Sequence, residues 1–175
     1  QRILGDWGHE ATHLVVFSAG GAHVPSWLNE GLALVESSDS DSALNNIMGQ
    51  AINNGVLLSV DSLCSTSLLG MPPRDMGLAY AQSKSLVQYL ISRYGSSQIQ
   101  SLLAAYKQGY SCNQAIELVL GISQTELESQ WQAQLSNRLG KAQPVGVSLP
   151  GWMISATVCA MIALMLLYPQ PKQSH

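Results

Sequence analysis

The chain has 175 residues, 46 % of them apolar and 11 % charged, with a formal net charge of −3. That length allows one ordinary domain plus an appendage, and eight Lys and Arg residues without a basic stripe argue against a nucleic-acid partner. Scarce aromatics, with a single Phe17, and the lack of β-branched alternation exclude a β-sandwich; low charge with abundant Ser, Gln and Asn suits a protein exposed outside the cytoplasm.

The first predicted element is a helix over residues 6–18, opened by Gly5 or Asp6. It carries His9-Glu10-Ala11-Thr12-His13, followed by the apolar run Leu14-Val15-Val16-Phe17. Residues four apart share a helix face, so His9 and His13 can present two imidazoles to one metal ion. Glu10 lies beside them, placed to act on a metal-bound water without ligating the metal. Asp6 is on the same stripe and serves either to orient a ligand histidine or simply to start the helix. Residues 20–26, with Gly20-Gly21 and Pro25, return the chain to the site. A second helix over 26–36 carries Trp27-Leu28-Asn29-Glu30-Gly31, with Trp27 expected to pack against the first helix.

A hydrolytic zinc site needs three protein ligands and one open position, and Glu30 is the natural third ligand. His23 competes for that role. The metzincin spacing would require Gly at 16 and His at 19, where the chain has Val16 and Ala19. His23 is therefore expected to be a loop histidine near the site. Asn29 and Glu36 receive no role.

Residues 37–42 read as a polar, acidic linker, and 43–52 as a weakly amphipathic helix stopped by Asn53-Asn54-Gly55. The stretch 56–75 is expected to be irregular, with a helical turn near Asp61-Ser62-Leu63 and a break at Pro72-Pro73. A long helix follows over 76–94, with Leu86, Val87, Leu90 and Ile91 at helical spacing and Gly95 as its stop. Helices over 98–107 and 113–120 end at Gly109 and Gly121. Ser123 with Glu126 forms a capping box for the last soluble helix, to about residue 139. Arg74 and Lys84 are expected to be solvated surface charges, although either can meet a substrate carboxylate. Cys64 and Cys112 are expected to be unpaired thiols, with a disulfide in an oxidising compartment as the alternative.

Residues 140–150 form a linker to an uncharged, apolar segment over 151–168, flanked by Trp152 and Tyr168 and followed by a short tail, 169–175. Its length and interfacial aromatics predict a transmembrane helix. Cys159 within it is a small membrane-facing residue. Arg138 and Lys141 before the span, against Lys172 after it, favour a cytoplasmic domain by one charge.

The H-E-x-x-H helix, the W-L-N-E-G-L-A helix, the segment Tyr80-Ala81-Gln82-Ser83-Lys84-Ser85-Leu86-Val87-Gln88-Tyr89-Leu90 and the ending Ile122-Ser123-Gln124-Thr125-Glu126-Leu127-Glu128-Ser129-Gln130-Trp131 together resemble a known family. It is the gluzincin zinc metallopeptidases, and within them the peptidase MA-like domains related to the M1 aminopeptidases. The resemblance runs over residues 4–135. It implies a mainly α fold over 1–139, the helical lobe of a thermolysin- or M1-like zincin, ahead of the C-terminal transmembrane helix. It also implies one Zn2+ held by His9, His13 and Glu30, and hydrolysis of a peptide or protein substrate with Glu10 as general base on a zinc-bound water. In that family a tyrosine opening the corresponding helix stabilises the oxyanion, and Tyr80 stands in that place. The family's β-rich cleft wall and amine-holding G-x-M-E-N segment would lie upstream, so the chain is expected to be N-terminally incomplete. Related anchored domains face outward, which makes the expected location the cell membrane with the catalytic domain extracytoplasmic. The alternative from another class is a catalytically silent, membrane-tethered helical binding module on the same fold; a purely structural metal suits an open three-ligand site less well.

Overall fold

A run of helices joined by short connections accounts for nearly all of the described residues, 2–37 and 41–141, of the computed structural model. They are α1 Arg2–Gly20, α2 Ser26–Glu36, α3 Asp41–Asn54, α4 Val60–Ser65, α5 Pro73–Tyr94, α6 Ser96–Lys107, α7 Cys112–Leu120 and α8 Gln124–Lys141, with 3-10 turns at Gly21–His23 and Leu68–Gly70. No strand occurs among the described residues, in keeping with the expected mainly helical class. The predicted membrane segment, 151–168, and most of the linker before it lie outside the described residues. Among those that are described, no helix is long and apolar enough to cross a membrane.

Local chemistry sets most of the helix ends, and the largest departures from expectation are at two helix starts. The first is α1, which starts at Arg2 rather than near Asp6. The second is Pro72-Pro73, which opens a helix instead of interrupting the chain. Pro73 occupies the first turn of α5, where a missing N–H costs nothing and the fixed φ is already helical. The Pro72 carbonyl accepts from Asp75 N at 2.9 Å and Met76 N at 3.0 Å. Tyr80 consequently lies about two turns inside α5 rather than at its start. At the other end Gly95 takes φ 88° and donates its N–H to the Ile91 carbonyl, as its position predicts.

The stretch between α3 and α5 is more ordered than an irregular loop. Ser59 caps α4, accepting from Ser62 N at 3.1 Å. Val60 N donates to Glu128 Oε2 of α8 at 2.9 Å. The buried Gln82 amide pairs with both backbone groups of Leu58, at 2.8 and 2.9 Å. These bonds satisfy backbone groups that a loop beside the core would otherwise leave bare.

The core centres on α5. Helix α2 lies against it and against α1, while α3 and α6 flank it. Trp27, Leu28, Leu63, Leu86, Leu90, Leu102, Tyr106, Ile116, Leu127 and Trp131 are fully buried, and Trp131 Nε1 donates to Ser85 Oγ at 3.2 Å. Trp27 shares this core with Val16 of α1. The rest of the apolar run after the histidines does not join it: Leu14, Val15 and Phe17 are exposed. Helix α2 approaches α5 closely because Gly31 has no side chain. A Cβ there would stand 2.6 Å from the Ser83 carbonyl oxygen and 2.6 Å from Val87 Cγ2.

Two further expectations are corrected. Cys64 and Cys112 are joined as a disulfide, with Cα atoms 5.8 Å apart, because α4 ends beside the start of α7. Lys84 is not a solvated charge; it is buried on α5, lining a cavity of about 180 Å³ with Leu44 and Met48 of α3. Arg74 is exposed as expected and pairs with its neighbour Asp75 at 3.4 Å.

Candidate metal centre

Helical spacing alone sets His9 and His13 on one face of α1, their rings 4.7 Å apart at their centroids and edge-on at 85°. The packing of α2 on α1 then brings up Glu30. Its Oε2 lies 3.9 Å from His9 Nε2 and 3.9 Å from His13 Nε2. The three donor atoms lie within 4.8 Å of one another, and all three residues are half-buried. At 3.9 Å neither imidazole hydrogen-bonds the carboxylate, so direct bonding between them does not explain their convergence.

The donor set fits zinc. Two imidazole nitrogens and one carboxylate oxygen are ordinary zinc ligands, bound at about 2.0–2.2 Å. Separations of 3.9 Å are less than twice that distance, so one ion can touch the carboxylate and either imidazole together. His13 is also oriented from behind, its Nδ1 lying 3.0 Å from Asn29 Oδ1. An amide oxygen only accepts, so this bond fixes the Nδ1–H tautomer and leaves the Nε2 lone pair facing Glu30. Sequence reasoning assigned Asn29 nothing. Its one signal was position, directly before the candidate ligand Glu30.

The remaining candidates fall around this triad. Glu10 follows His9 on α1, is exposed, and makes no hydrogen bond or ion pair among the described residues. Tyr80 of α5 is half-buried. Burial first, and the Glu30 carboxylate second, raise its phenol above the ordinary value of 10.0. The phenol stays protonated and able to donate at neutral pH. His23 ends the 3-10 turn, exposed and outside the triad. The Asp6 side chain lies outside those described. A cavity of about 140 Å³ opens beside His13, lined also by Phe17, Ala22 and Asn29.

This arrangement can hold one divalent cation. No curated protein and no solved structure matches the chain. The family description "Peptidase MA superfamily" matches residues 5–137, a span that takes in both histidines, Glu30, Glu10 and Tyr80. The chain belongs to the Peptidase MA superfamily.

Proposed function

We propose that this protein is a zinc-dependent metallopeptidase of the gluzincin type, related to the M1 aminopeptidases, acting on peptide or protein substrates. The observation that carries the reading is the convergence of His9, His13 and Glu30 from two helices, in a superfamily whose members are typically zinc-dependent. Zinc bound there would polarise the scissile carbonyl and make hydroxide available near neutral pH. Glu10 takes the proton from the attacking water as its oxygen bonds the carbonyl carbon. It returns that proton to the amide nitrogen as the C–N bond breaks, so the products are one carboxylic acid, which gives its remaining proton to solvent or to the amine, and one amine. Tyr80 donates a hydrogen bond to the oxyanion that develops between these steps, a contribution of about 2.7–4 kcal/mol for a single donor. Asn29 keeps the His13 ring in the ligating orientation.

In the same reading, residues 151–168 anchor the protein in the cell membrane by a single C-terminal span, with the catalytic domain extracytoplasmic. The Cys64–Cys112 disulfide supports the outward orientation, because such bonds persist in oxidising compartments. Metal analysis of the full chain with a Glu10→Gln variant tests the enzyme. One zinc per chain in both proteins, with peptidase activity lost only in the variant, is the expected result. Unchanged activity in Glu10→Gln, or no stoichiometric zinc, overturns it; zinc without any activity leaves the tethered binding module.

A further inference from the structure

We infer that the cavity between α3 and α5 is a binding site for a small monocarboxylate with a short aliphatic chain, apart from the metal centre. Lys84 is 6 % exposed and is the sole charged residue among the described ones lining this cavity of about 180 Å³. Its ammonium carries three N–H donors, more than a single partner takes up, and burial is favourable only where acceptors or a counter-charge meet them. Ser85, beside it in the lining, accepts from Trp131 Nε1 at 3.2 Å, which leaves its hydroxyl hydrogen to donate. Two neighbouring donors call for an acceptor that bears negative charge. Leu44, Met48 and Leu135 supply the apolar wall. Asn45 and Gln88 also line the cavity and are exposed, so it opens to solvent on their side.

Gly49 keeps this space open. It lies inside α3, where glycine disfavours the helix relative to alanine. Its backbone is not left-handed, and a Cβ there would meet no atom within 4 Å, so neither conformation nor close packing calls for glycine. A longer side chain at 49 would grow into the cavity that Gly49 lines. Size and charge then narrow the ligand. A cavity of about 150 Å³ holds benzene, so this one takes about seven non-hydrogen atoms, a carboxylate and a chain of about four carbons. A phosphate dianion, with its higher charge and three acceptor oxygens, is a poor match for one ammonium between apolar walls. The site is separate from the metal centre. Helix α5 meets α2, the bearer of Glu30, through Ser83 and Val87, whereas Ala81, Lys84 and Ser85 face the cavity, and none of His9, His13 and Glu30 lines it. The inference therefore stands independently of the peptidase reading.

The test titrates the full chain with pentanoate, acetate and pentanol, read by NMR of labelled methionine methyl groups, with Met48 in the cavity wall as reporter. Pentanoate is expected to shift the Met48 signal and to bind at least about ten-fold more tightly than acetate, a ratio that three further buried methylenes supply. It should also bind more tightly than pentanol, which lacks the charge. Lys84→Met keeps the aliphatic stem and should lose the preference for pentanoate over pentanol. Gly49→Leu fills the cavity with a residue that favours the helix, so pentanoate binding should vanish while the thermal midpoint and zinc content hold. That variant decides the matter if Lys84→Met fails to fold. Equal affinity for pentanoate and acetate, or an unmoved Met48 signal, overturns the inference. A carboxylate can also ligate zinc, so pentanoate binding that survives Gly49→Leu and disappears with a chelator overturns it too, by assigning the ligand to the metal centre. Absence of zinc bears on the peptidase reading alone, and metal analysis reads that separately.

Discussion

Asn29 shows how one side chain conditions the chemistry of another. Its Oδ1 stands 3.0 Å from His13 Nδ1, and an imidazole with one nitrogen committed as a donor has the other free for a metal. Asn29→Ala removes the acceptor, frees the ring to rotate, and lets either tautomer form. Loss of such a supporting partner typically weakens metal binding 10- to 100-fold. Chelator competition on the wild type and the variant measures the drop directly. Asn29→Asp, which keeps an oxygen in reach, should bind zinc more tightly than the alanine variant. Equal affinity in all three proteins would leave the hydrogen bond without a role. Whether an asparagine beside a ligand faces inward depends on how α1 and α2 cross, and that information is not carried by the residues of either helix alone.

At the scale of elements, the position of Glu30 is a consequence of how closely α2 approaches α5. Gly31 permits the approach, and the atom it spares is a backbone oxygen, that of Ser83, together with Val87 Cγ2. A side chain end can rotate away; a carbonyl inside α5 cannot. Gly31→Ala therefore pushes the two helices apart, at a cost of about 1–3 kcal/mol for overpacking. Because Glu30 is the preceding residue, the same displacement carries its carboxylate away from His9 and His13. The expected outcome is a thermal midpoint lower by several degrees together with weaker zinc binding, measured by a melt and a chelator titration on one preparation. A melt that falls without any change in zinc affinity would separate the crossing from the site. Much of this level was legible beforehand. The two motifs fix which helix faces meet, since H-E-x-x-H puts its imidazoles on one stripe, and Gly95 and Gly121 stop their helices where left-handed backbone is needed. What the residues did not disclose depends on neighbours. Pro72-Pro73 reads as a break, yet it starts a helix once the Pro72 carbonyl finds its donors. Within the apolar run Leu14-Val15-Val16-Phe17 only Val16 is buried, and helix α1 packs on α2 and α6. The order around α4 rests on Gln82 and Glu128, residues distant in sequence.

Over the whole domain, stability depends on a set of tyrosines and on one covalent link. Burial raises the phenols of Tyr80, Tyr94 and Tyr106 above the ordinary 10.0, Tyr106 most of all. Below pH 10 folded and unfolded chains hold these protons alike. Above it the unfolded chain releases them first and binds fewer, so stability falls as pH rises. A urea midpoint that drops above pH 10, less steeply in Tyr106→Phe, is the expected result. The covalent link acts through the unfolded state. Cys64 and Cys112 are 48 residues apart, and the loop they close contains α5 and α6, the helices on which α2 and α1 rest. Closing a loop of that length removes unfolded-chain entropy equivalent to about 4 kcal/mol in the chain-entropy description. For a domain near this size each kcal/mol moves the thermal midpoint by roughly 2–4 °C, so reduction should lower it by about 10 °C. The Cys64→Ala, Cys112→Ala double variant should melt at the reduced protein's temperature and show no further response to dithiothreitol. A wild type whose midpoint ignores the reductant would remove both the stabilising role of the bond and its support for an extracytoplasmic domain. A drop confined to the wild type ties the integrity of the helices behind the metal centre to an oxidising surrounding.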